Sequence, residues 1–131
     1  LEGVNDISRG TGTRDPRDEI SAQELIAAHQ QLVQRAHERG VIIIGGTLTP
    51  VGGMSGLTPE RIAKRDALNA WIRTSGVYDG VIDFDKITRD PSDSTRFLPA
   101  YDSGDHLHPN DAGYKAMGEA ISLALFRRRV R

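Results

Sequence analysis

The stretch Val41–Gly46, "VIIIGG", is apolar without a break until its two glycines. Such a strand has no water-facing side. It needs cover on both faces, which a parallel sheet between helices supplies. Its flanks agree. Ser21 and Glu24 have capping-box spacing, and Leu25, Ala28, Leu32 and Ala36 recur on one side of the helix that follows, with Ile26 and Val33 beside them. That helix is expected to run to about Arg39 and stop at Gly40. After the strand, Thr58 and Pro59 open a second helix anchored by Ile62, Leu68 and Ile72, with Trp71 adjacent and Gly76 at its end. "VYDGVIDF", Val77 to Phe84, reads as another strand, and a polar loop follows from Lys86. Asn110 caps a last helix whose inner side carries Met117, Ala120, Ile121 and Ala124.

The N-terminal "LEGVND" looks like the end of a strand entering a loop, and residues 7–19 are a polar loop. The order is strand end, helix, strand, helix, strand, loop, helix. It is a doubly wound α/β pattern, in which ligands bind beyond the carboxyl ends of the strands. Asn5, the loop from Thr47 to Gly53, and the loop holding Asp105 and His108 all belong at that end. Three strands make a thin sheet, and most of the first is expected to lie before Leu1.

Composition narrows the function. The 131 residues suit one small domain, residues 1–131, and a net charge of −1 gives no global field for nucleic acid. "RRRVR" at the C-terminus is explained by a solvated helix end. Without cysteine the chain has no disulfide, catalytic thiolate or cysteine-ligated zinc. No segment is long and apolar enough to cross a bilayer. The compartment is left open.

The chemistry concentrates in "SGDHLHPNDAGY", Ser103 to Tyr114. Asp105 and His108 are three apart, close enough in a tight turn for the carboxylate to hold one imidazole nitrogen and leave the other as a base. Pro109 holds His108 in an extended backbone. Spacing alone leaves this pair and a plain solvent-exposed turn both standing. Asp102, Asp105, His106 and His108 also suggest a metal set, although H-x-H is common by chance and no further histidine completes the site. His29 and His37 fit helix packing and a helix terminus. Asn5 in "GVND" can donate to an oxyanion, Gly3 permits an unusual backbone angle, and Asp6 can hold the turn. "PVGGMSG" lacks the ending of a phosphate loop and reads as a mobile loop near a pocket. Arg89 and Arg96 are explained by solvated loop charge.

Together, "GVND" and "DHLHPNDAGY" resemble the GxND and DxxH blocks of the SGNH or GDSL-type hydrolases, a family of esterases and acylhydrolases. The resemblance spans almost the whole chain. It implies a flavodoxin-like three-layer sandwich with a parallel sheet, its N-terminal strand or strands missing here. It also implies serine-dependent hydrolysis of acyl or acetyl esters without a metal or other cofactor. His108 would be the general base, Asp105 its orienter, and Asn5 an oxyanion donor. Gly3, Thr47 and Gly53 are expected beside the substrate from their place in the chain, not from the resemblance. The family's nucleophilic serine belongs upstream of GxND. Ser8, Ser55 and Ser103 lack the strand-to-helix elbow that a reactive serine needs. The chain alone is therefore expected to be inactive and unstable as a monomer. Its expected partners are a small-molecule or carbohydrate ester and either the missing N-terminal fragment or a second copy covering the incomplete sheet. A non-catalytic binding or assembly module, and a metal-dependent hydrolase, are the competing readings.

Overall fold

The computed structural model describes residues 1–8 and 19–127. The loop expected over 9–18 and the last four residues of the basic tail lie outside the described residues, as does the side chain of Ser8. Two strands, β1 (Ile44–Gly46) and β2 (Gly80–Ile82), pair in parallel with Ile44 opposite Gly80 and Gly46 opposite Ile82. Hydrogen bonding runs one residue further at each end, Asp79 N–H to Ile43 O at 3.0 Å and Thr47 N–H to Ile82 O at 3.1 Å. The helix α3 (Pro59–Thr74) connects the strands. The result is a small α/β fold, a short parallel sheet flanked by helices.

The caps act as their residues predict. In α2 (Ala22–His37) the Ser21 side chain accepts from Glu24 N–H while the Glu24 carboxylate accepts from Ser21 N–H. Thr58 caps α3, and Asn110 caps α5 (Asp111–Glu119). The buried face of α2 is rotated from the expected one, however. Leu25, His29 and Val33, four residues apart, are buried, while Leu32 is 49 % exposed and Ala28 is exposed. His29 takes the inner place because its Nδ1 meets the Tyr78 hydroxyl at 2.5 Å and its ring packs edge-on against Trp71 and Tyr78. The core joins Ile7, Leu25, Leu48, Leu68 and Ile72.

Four further expectations are corrected. "LEGVND" does not end a strand: Val4–Ser8 forms the short helix α1, begun by an Ile7 N–H to Gly3 O bond at 3.0 Å. The strands are shorter than their apolar runs. Val41 is 52 % exposed outside β1, and Phe84 already belongs to α4 (Phe84–Thr88), which Asp83 caps by accepting from Lys86 N–H. The last helix ends at Glu119, leaving Ala120 and Ala124 exposed, and a 3-10 turn spans Leu123–Arg127. Finally, residues 47–52, the first part of the Gly-rich loop expected to be mobile, are buried. Asn69 on α3 binds both the N–H and the carbonyl of Leu48, at 2.7 and 2.8 Å. Arg65 donates to the carbonyls of Leu48 and Thr49. A backbone leaving a sheet edge carries polar groups that must be paired when buried. Here α3 side chains do the pairing.

Candidate active site

The segment between Asp102 and Pro109 is closed at its base by a β-bridge joining those two residues. Ser103 N–H donates to His108 O at 3.1 Å, and Asn110 N–H to Tyr101 O at 2.8 Å. Within this loop the Asp105 carboxylate is fully engaged. Its Oδ1 accepts from the N–H groups of Leu107 and His108, each at 2.8 Å, and from the Ser103 hydroxyl at 2.9 Å; Oδ2 meets His108 Nδ1 at 2.6 Å. The His108 ring and those two backbone N–H groups hold its carboxyl far below the usual carboxylate range. An ionised carboxylate on Nδ1 fixes the tautomer and leaves Nε2 able to accept a proton. The pair is exposed, 61 % for His108 and 51 % for Asp105.

His108 opens onto a cleft of about 140 Å³ that Asn5 also lines, together with Thr49, Leu107, Tyr114 and Met117. Asn5 comes from α1 and His108 from the loop before α5, so the fold brings residues far apart in the sequence to one place. Thr49 is delivered by the buried segment that Arg65 and Asn69 hold. The sequence placed the loop from Thr47 to Gly53 at this end but did not single out Thr49, because nothing in its type marks it; the anchoring by α3 is visible only in three dimensions.

Thr47, Gly3 and Gly53, also expected beside the substrate, do not line this cleft. Thr47 is fully buried: its hydroxyl donates to Asp83 Oδ1 at 3.0 Å and accepts from Asp85 N–H at 2.9 Å. Gly3, at φ +118°, is buried against Leu68, where a Cβ would lie 3.2 Å from a methyl. Gly53, at φ +99°, lies against the His106 ring. Of the serines weighed as nucleophiles, Ser103 braces Asp105 and Ser55 is exposed in the Gly-rich loop.

The suggested metal set splits into two pairs. His106 Nδ1 meets Asp102 Oδ2 at 2.6 Å, separate from the Asp105–His108 pair, and no three candidate ligands converge among the described residues. His37 does more than end a helix. Its Nε2 lies 2.9 Å from Asp79 Oδ2, the carboxylate that also accepts from Ile43 N–H at 2.9 Å. Arg89 is drawn into the Asp85 network and Arg96 pairs with Asp93.

Comparison with known proteins gives this geometry its family. Residues 1–116 match the GDSL-like Lipase/Acylhydrolase family, and the chain belongs to it. In fold it is similar to the crystal structure of a GDSL-like lipase from Bacteroides thetaiotaomicron, with 18 % identity, a TM-score of 0.62, and coverage of 95 % of this chain and 59 % of that one. It is also similar to a Bacteroides fragilis protein provisionally assigned as an acylhydrolase, with 22 % identity, a TM-score of 0.61, and coverage of 95 % and 58 %. The chain thus spans under two thirds of both structures. Comparison with curated protein sequences finds no match.

Proposed function

We propose that this chain is the base-bearing part of an enzyme that hydrolyses small-molecule or carbohydrate carboxylic esters through a serine nucleophile. The observation that carries the reading is that Asn5 and His108 line one cleft while Asp105 holds the far side of the imidazole. The two solved structures are longer than this chain, which supports placing the nucleophile, and further strands of the sheet, in sequence outside it. The serine hydroxyl attacks the ester carbonyl as His108 Nε2 takes its proton. Asp105 stabilises the imidazolium, and the Asn5 amide donates to the tetrahedral oxyanion. His108 returns the proton to the departing alcohol. It then activates water, which releases the acid and restores the serine.

The test uses the full-length protein. Intact mass after a serine-directed phosphonate should show one adduct, on a serine outside residues 1–131. His108→Ala should lower kcat by about 10²- to 10⁴-fold, and Asn5→Ala by about 10²- to 10³-fold with KM little changed. Ester hydrolysis that survives both substitutions at the parental rate would sink the reading.

A further inference from the structure

A second aspartate–histidine pair lies one step from the first. His106 is, among the described residues, the one non-glycine with positive φ, at 61°. A side chain held there needs compensating contacts. Asp102 provides them: Oδ1 accepts from Gly104 N–H at 2.8 Å and His106 N–H at 3.2 Å, and Oδ2 meets the ring at 2.6 Å. The Asp102 carbonyl accepts from the Asn110 side chain at 3.1 Å, which ties the pair to the cap of α5. On its other side the His106 ring abuts Gly53, where a Cβ would be only 3.0 Å from the ring. Gly52 N–H in turn donates to Thr95 O at 2.7 Å. His106 faces a cleft of about 310 Å³ with Arg96 and Phe97 rather than the one that Asn5 and His108 share.

The two pairs have alike bonding but different settings. Asp105 and His108 are exposed, so burial does not hold their geometry. The loop must do so through its own bonds. Asp105 follows Gly104 and precedes His106, the two residues whose backbone N–H groups Asp102 binds. We infer that Asp102 and His106 are positioning residues for the proposed reaction: the left-handed backbone at His106, locked by Asp102 and seated on Gly53, aims the Asp105 carboxylate at His108. This rests on the functional reading above, but its structural half can be tested without it.

The experiment compares His106→Ala, His106→Asn and wild type in the full-length protein. Asparagine tolerates the left-handed backbone and keeps a donor for Asp102; alanine does neither well. Two readouts are taken: the NMR resonance of the His108 Nδ1 proton, and kcat and KM for ester hydrolysis normalised to phosphonate-titrated sites. Alanine is expected to broaden the resonance and lower kcat about tenfold with KM nearly constant. Asparagine should restore both. If alanine leaves resonance and kcat unchanged, or asparagine fails as badly as alanine, the inference is overturned. Should His106→Ala not fold, Asp102→Asn is measured against the same criteria. If wild type hydrolyses no ester, the functional reading fails alone, and the resonance comparison still decides the positioning.

Discussion

His29 is a buried base whose proton is unwelcome. Burial is the main cause that pushes its imidazole below the ordinary value, against the opposing pull of Glu2. The unfolded chain therefore binds that proton more readily than the fold does. Its contribution is fully present above the unfolded value of about 6.5 and is lost as pH falls below it, until the lowered folded value is reached. The urea midpoint should drop between pH 7.5 and pH 5.5, and His29→Gln should reduce that drop. An equal drop in both proteins would show that other groups set it. The neighbouring Tyr78 is shifted by the same cause, with burial pushing its hydroxyl up to about 12. At this scale the sequence was informative where chemistry is local: three residues suffice to join Asp105 to His108. Thr47 and Thr49 show the opposite case. The residue type gives no hint that Thr47 is locked between Asp83 and Asp85 while Thr49 lines the cleft.

Among elements, the long helices were legible and the short ones were not. The caps Ser21, Thr58 and Asn110 precede amphipathic runs, so local bonds and burial agree. α1 and α4 have only five residues each and too few internal bonds to announce themselves. They form where Gly3 O and the Asp83 carboxylate are placed by the rest of the fold. Turns between elements permit a graded prediction. Gly40, at φ +66°, has open space around its Cβ position, whereas Gly53, at φ +99°, would press its Cβ on His106. Gly40→Ala should cost on the order of 1 kcal/mol. Gly53→Ala should cost more, because its backbone angle lies beyond the left-handed well and the site is occupied. Chemical denaturation of the two variants side by side checks the order; equal costs would mean that the His106 contact yields freely.

For the molecule as a whole, the strand ends are fastened by charge rather than by apolar packing alone. Asp85 is buried and receives Arg65, Arg73 at 2.6 Å and Arg89 at 3.3 Å, while Asp83 receives Arg73 at 2.7 Å. Burial pushes the Asp83 carboxyl up, but Arg73, the Lys86 N–H and the Thr47 hydroxyl prevail and bring it down to about 2. Its stabilisation is present above the ordinary value of 3.8 and is lost as pH falls toward about 2. Asp85→Asn should destabilise by roughly 3–5 kcal/mol, since it removes the carboxylate that faces the buried Arg65 cation. A loss below 1 kcal/mol in urea titration would contradict this account. The parallel order of the sheet followed from an apolar run between two helices. This network did not, because α3 and α4 meet only in the folded state.

One consequence follows from how Asp105 is bound. Among the described residues its hydrogen-bond partners all lie between Ser103 and His108, inside a loop that Asp102 and Pro109 close. The pair is thus wired from within one loop. It is encoded in a contiguous cassette, whereas the cleft it serves is assembled from distant stretches. The cassette's outside supports are the seat of the His106 ring on Gly53 and the tie of the Asp102 carbonyl to Asn110, so an engineer who exchanges the surrounding walls must keep those two contacts.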